Sequence, residues 1–209
     1  MKRRQAMSAI AALATLGVPL PGWANVEVAG VQVPDQSKFA GRTLNLNGVG
    51  IRKRFGFSVY VCGLYLQKTC STLDEVIAAP GAKRIWLVLL RDISSDDFGD
   101  AFLTGVRRNS TREQTRTIGL ELVQLGQLSV TLPHLRTGDI ITYDFDPTAG
   151  SSISYNGKLV LGPSPTPAFF EALVRIWIGD HPADDTLKDR LLGKKAPEST
   201  FNTGFRSGG

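Results

Sequence analysis

Leu44–Gln67, LNLNGVGIRKRFGFSVYVCGLYLQ, is the stretch on which the reading of this chain turns. TLNLNGVGIRK alternates apolar and polar residues up to Lys53, and FSVYVCGLYLQ returns as an apolar strand. Between them lie Arg54, Phe55 and Gly56. A three-residue hairpin loop commonly ends in a left-handed position, where glycine costs least, and Gly56 has that place. In this register Arg52 faces Ser58 and Gly50 faces Tyr60. Arg52 and Tyr60 are then diagonal neighbours on one face, within reach of long side chains. Cys62, Leu64 and Leu66 continue the face, so Arg52 is the odd member of an apolar set. A guanidinium there can snorkel to water or pair with an anion. For a carboxylate it offers a two-pronged match, to which a phenol hydroxyl adds a third bond. A slip of one residue would put the two side chains on opposite faces.

Outward from the hairpin, the pattern is mixed. Residues 25–42 read as a short strand, VEVAGVQVP, broken by DQSKFAG. STLDEVIAA has a Ser71 or Thr72 N-cap signal and predicts a short helix before Pro80. RIWLVLLRD is apolar enough to be buried on both faces. SSDDFGDAFLTGVRRN opens with a serine and acids and closes with arginines, matching the helix dipole at both ends. STREQTRTIGLELVQLGQL predicts one further helix with a serine cap, its apolar positions at 118, 122 and 125. IITYDFDP, SSISYNG and KLVLG are short strands, with Asn156-Gly157 a strong hairpin signal. TPAFFEALVRIWIG predicts a helix between Pro167 and Gly179, and DDTLKDRLLG a last short one. The expected class is α+β, an antiparallel sheet with its helices on one side.

The chain has 209 residues, 42% hydrophobic and 21% charged, which suits one globular domain with a sizeable core. Its first residues are set apart. MKRR is a basic n-region, AMSAIAALATLGVPL a short apolar run, and PGWA ends small: the layout of a secretory signal peptide, residues 1–24. The run falls short of the roughly 20 residues of a membrane span, so no stable span is expected. Removing Lys2, Arg3 and Arg4 lowers the formal charge from +5 to +2, which leaves no basic face to argue for nucleic acid. The domain is expected over 25–193, with 194–209 a disordered Gly/Ser-rich tail.

Little suggests a catalytic or metal centre. Cys62 sits mid-strand, and a strand running on to Gln67 carries the chain too far to return to it by Cys70. There is no CxxC, no metal-ligand spacing, and no motif that asks for a cofactor. His134 and His181 read as loop and helix-end residues. Asp144 and Asp146 share a strand face and read as its wet side, with Tyr143 and Phe145 inward. Gly48-x-Gly50 lacks the strand-turn-helix setting of a nucleotide loop. Such glycines relieve crowding where a strand meets a ligand or a helix.

NGVGIRKRFGFSVYVCGLYL resembles the first hairpin of the chalcone isomerase fold, with its G-x-G-x-R run and a strand ending G-V/L-Y-L. ALVRIWIGDHPADDTLKDRLLG resembles the closing helices of that family. The likeness covers roughly residues 27–193 and is greatest to the exported bacterial branch. It implies an open-faced sandwich, an antiparallel β-sheet with a layer of α-helices, in a periplasmic protein. In the enzymes of the family an arginine guides an oxyanion through ring closure, and Arg52 matches it. Tyr60 stands where those enzymes have a threonine. Gln114, Thr117 and Glu121 stand at the positions of their helical tyrosine, lysine and asparagine, and Ile176-Trp177 at those of a Thr-Met pair. Most of the catalytic set is therefore unmatched. Arginine plus tyrosine is similar to the fatty-acid-binding members, in which such a pair holds the lipid carboxylate. The resemblance thus implies a non-catalytic protein binding a small amphipathic carboxylate such as a fatty acid, with Arg52 and Tyr60 at its head and Phe102, Phe169, Leu173 and Trp177 as the apolar wall. The alternative is an isomerase or lyase in which Arg52 stabilises an oxyanion.

Overall fold

The computed structural model describes residues 25–197; the expected signal peptide, and 198–209 of the expected tail, lie outside them. In chain order the strands and helices are β1 (Asn25–Val28), β2 (Val31–Pro34), β3 (Gln36–Phe39), β4 (Arg42–Arg54), β5 (Phe57–Leu66), α1 (Leu73–Ala78), β6 (Lys83–Leu89), α2 (Ser95–Arg108), α3 (Arg112–Thr117), α4 (Gly119–Thr131), β7 (Ile140–Asp146), β8 (Gly150–Tyr155), β9 (Lys158–Ser164), α5 (Pro167–Ile178) and α6 (Asp185–Leu191). β3 to β9 form one seven-stranded antiparallel sheet in sequence order, and β1 pairs with β2 apart from it. This is the expected α+β architecture.

Local chemistry accounts for the element ends. Thr72 and Ser94 cap α1 and α2 by accepting from the backbone N–H groups of Glu75 and Asp97. Asp184 does the same for α6 at Leu187. Pro167 opens α5 and Gly179 closes it. Four two-residue turns, Ala29-Gly30, Ala40-Gly41, Phe55-Gly56 and Asn156-Gly157, have both residues at positive φ. That backbone twists in the same sense as the strands it joins.

Three expectations are corrected. QSKF is not a break but β3, paired with β4 through Gln36↔Asn45 to Phe39↔Arg42. The helix expected over 110–128 is two helices that meet at Ile118 (φ −105, ψ 23). Its cap is Thr111, in a reciprocal box with Gln114, not Ser110. A β-branched residue followed by Gly119 is a weak point for helix, and the break lets the Ile118 side chain bury completely. The Asp144 face is not wet: Asp144 is 3% exposed. Its carboxylate accepts from Arg84 Nε at 2.6 Å and from a second guanidinium nitrogen at 2.9 Å. The third nitrogen donates to Ser37 Oγ at 2.8 Å, so one arginine ties β3, β6 and β7 together. Tyr143 and Phe145 do point inward.

The main core lies between the sheet and the helices. It includes Tyr60, Cys62, Leu64 and Leu66 of β5 and nearly all of α5. A smaller cluster on the other face puts Val28 and Val33 against Leu44, Val61 and Tyr65. α6 lies on β4 where Gly48 and Gly50 leave room; a Cβ at Gly48 would overlap the carbonyls of Arg190 and Leu191. Asn47, bulged between Leu46↔Tyr65 and Gly48↔Leu64, donates to Leu191 O at 2.7 Å and to Cys70 O at 2.9 Å. Cys62 and Cys70 are both free and buried. Beyond α6, Lys194 donates its N–H to Asp189 O, and Lys195 pairs with the Asp189 carboxylate at 2.9 Å.

Candidate functional site

The first hairpin reaches the expected placement of Arg52 by a different route. Its loop has two residues, so Arg54 faces Phe57 and Lys53 faces Ser58. On its own this shift would put Arg52 and Tyr60 on opposite faces. A bulge at Val59 shifts the register back, and Arg52 lies directly opposite Tyr60. The guanidinium carbon is 5.9 Å from the Tyr60 ring centroid, within the range of a cation–aromatic contact.

Tyr60 is 7% exposed. Its hydroxyl accepts from Trp177 Nε1 at 2.9 Å, and no acceptor for its own proton is found among the described residues. Burial pushes the Tyr60 phenol far above its ordinary range, and the nearby Arg52 charge only partly opposes this. The group therefore stays a neutral donor at physiological pH. Arg52 is half-buried and has no carboxylate partner among the described residues.

A cleft of about 730 Å³ opens above this pair. The tip of the β4–β5 hairpin and the segment 91–94 form one side, and one face of α2 the other. Asp97, Ala101, Thr104 and Arg108 recur on that α2 face at helical spacing. Tyr60, Phe102, Gly105 and Ile176 close the inner end, and His181 and Ala183 stand at the lip. Four arginines, 52, 54, 91 and 108, share the lining with Asp92, Asp97 and Asp100. Two of these acids are engaged locally. Hydrogen bonds from the Thr137 N–H and hydroxyl hold the Asp92 carboxyl below the usual range, and Asp97 accepts from Ser94 Oγ at 2.7 Å.

Of the six residues expected at the site, Arg52, Tyr60 and Phe102 line the cleft. Phe169, Leu173 and Trp177 do not: all three are buried in the closed core. The space behind the cleft is filled by aromatic rings. Phe102 stacks on Tyr143 at 5.0 Å, and Trp177 lies 5.6 Å from Phe102 and 5.4 Å from Tyr143. Trp177 supports the site from behind, through its bond to Tyr60 and its edge contact with Phe102. The sequence reading missed the α2 face, although its 97, 101, 104, 108 spacing is visible, and it missed Phe57, Val59 and Phe98, whose apolar character alone does not separate lining from core.

The remaining candidates are spent elsewhere. Gln114 serves the α3 capping box, the Thr117 hydroxyl donates to Glu113 O, and Glu121 is buried against Ser164 Oγ at 2.6 Å. His134 is exposed in its loop, and the His181 N–H donates to Asn109 Oδ1. Among the described residues no group of His, Cys, Asp and Glu could hold a metal ion, and no helix is long and apolar enough to cross a membrane.

A family model described as chalcone isomerase-like matches residues 25–193. No curated protein sequence matches the chain. Among solved structures, a fatty-acid binding protein of Arabidopsis thaliana superposes with a TM-score of 0.62 at 17% identity, over 79% of this chain and 93% of that one. At that identity the likeness is one of fold.

Proposed function

This chain belongs to the chalcone isomerase-like family, and from that premise we propose that it is a non-catalytic binding protein for a small amphipathic carboxylate, a fatty acid being the simplest, exported to the periplasm by its N-terminal segment. The carrying observation is Arg52: a half-buried guanidinium lining an open cleft, over a tyrosine, in no ion pair with an acid among the described residues, the Asp184 carboxylate close by being taken by the backbone N–H groups of Lys53 and Leu187. A charge so placed gains most from an anionic partner. The Tyr60 proton adds a second donor. The ligand's apolar part would lie along Phe57, Val59, Phe98 and Ala101, in the outer cleft rather than in the ring-filled core. The fold shared with a fatty-acid binding protein supports the same reading. An isomerase would need further polar groups over the reacting atoms, and Gln114, Thr117 and Glu121 are turned to other tasks.

The test is native mass spectrometry of protein purified from its own periplasm, before and after organic extraction. An added mass that extraction removes, identified as a carboxylate, is the expected result; a clean ligand-free mass from every preparation counts against it. Tyr60→Phe should weaken binding by roughly threefold to tenfold, the worth of one neutral hydrogen bond. Since the phenol stays protonated, affinity should hold steady from about pH 7.5 to about pH 9, above the titration of the ligand carboxyl. A fall across that interval would mean that the donor is some other group.

A further inference from the structure

The hairpin tip that forms one side of the cleft has features that folding does not explain. β6 pairs with β5 only from Tyr60 onward, with one more bond from Leu90 N–H to Val59 O. The tip therefore projects past its neighbour strand by three or so residues, roughly 10 Å. At its end stand Phe55, 85% exposed, and Phe57, 63% exposed. Phe55 also has φ 52, in the left-handed region where a bulky side chain is strained and asparagine or glycine is at ease. A strained, solvent-facing aromatic stabilises nothing within the fold. Each ring carries a cation: Arg54 lies 5.2 Å from the Phe55 centroid and Arg91 lies 5.3 Å from that of Phe57. Of the acids near this rim, Asp92 is turned to Thr137, Asp97 to Ser94, and Asp184 accepts from the backbone N–H groups of Lys53 and Leu187.

We propose that this tip docks on an anionic bilayer surface, with Phe55 and Phe57 entering the interface and Arg54 and Arg91 meeting lipid phosphates. Aromatic rings favour the headgroup level, interfacial elements bury roughly 5–10 Å into it, and the projection has that reach. Charge complementarity selects an anionic membrane over a neutral one. The same residues line the cleft mouth, so docking would open the cleft toward the lipid. That purpose rests on the ligand reading above; the docking surface itself does not.

The test is flotation of the full domain with vesicles of phosphatidylglycerol and phosphatidylcholine, and with phosphatidylcholine alone. Binding to the mixed vesicles, weakened by salt and much poorer on the neutral ones, is expected. Arg54→Ser and Arg91→Ser should each lower the partition coefficient by about fivefold. Phe55→Asn is the decisive variant, because it relieves the turn and cannot be dismissed as unfolded: its melting temperature should hold or rise while vesicle binding falls by roughly tenfold. Equal binding of Phe55→Asn and wild type, or no preference for anionic vesicles, overturns the proposal. So does sedimentation showing that Phe55→Asn dissolves a dimer while vesicle binding is unchanged, since the tip would then be an interface between copies. Fatty-acid titration of the wild type without vesicles keeps the two proposals apart: a protein that docks yet binds no acid loses the ligand reading alone, and one that binds acid yet shows no preference for anionic vesicles loses the docking surface alone.

Discussion

Gly48→Ala is expected to destabilise the protein by about 3 kcal/mol or more, enough to lower the melting temperature by roughly 6–12 °C. The added methyl would meet the main-chain carbonyls of Arg190 and Leu191, and backbone cannot rotate away as a side chain can. Asn47, next along the strand, grips the Leu191 carbonyl at 2.7 Å, so β4 cannot slide from under α6 without losing that bond. The relief left is for α6 to lift, which exposes Leu187 and Leu191, both fully buried. Gly50→Ala should cost clearly less. Its Cβ would meet side-chain atoms only, Arg190 Cδ at 2.9 Å and Leu187 Cδ1 at 3.1 Å, and these can shift. Urea unfolding of the two variants checks the ranking. An unchanged midpoint for Gly48→Ala would show that α6 is not seated as described.

Asp144→Ala should cost about 3–5 kcal/mol, the usual loss when one partner of a buried ion pair is removed. Arg84, with its side chain 17% exposed, would keep its contacts with Ser37 and the Phe39 ring but lose both bonds to the carboxylate. The pair itself is a different quantity from its rupture. Replacing both members, as in Arg84→Met with Asp144→Leu, should recover most of the loss, because desolvation of two charges is relieved together. A double variant as unstable as Asp144→Ala would mean that the Arg84 span across β3, β6 and β7 contributes through the shape of the sheet rather than through charge.

The order of strands and helices was legible because each element carries its own periodicity and its own ends, as Ser94, Pro167 and Gly179 show. The small turns were legible only in part. Asn156-Gly157 announces itself, since asparagine tolerates a left-handed backbone. Ala29, Ala40 and Phe55 adopt the same conformation without that signal, so local sequence alone reads β3 as a break and gives the first hairpin one loop residue too many. The Val59 bulge offsets that second error, so Arg52 and Tyr60 share a face although the register that predicted it was wrong. A bulge is decided by pairing partners far along the chain, and nothing local marks it. The site was legible at its charged end and not at its apolar one. Phe169, Leu173 and Trp177 have the residue types of a pocket wall and of a core alike; what separates them is the Phe102–Tyr143–Trp177 ring packing, a property of three elements at once.

Calorimetric titration of a fatty acid into wild-type protein and into Arg52→Ala tests the central claim most directly. The account predicts saturable binding to the wild type that weakens by roughly tenfold to a hundredfold in the variant, the worth of hydrogen bonds to a charged group, with the melting temperature nearly held, since Arg52 is in no ion pair among the described residues and Asp184 keeps its bonds to the Lys53 and Leu187 N–H groups. Equal affinities in the two proteins, or no binding by a folded wild type, would contradict it.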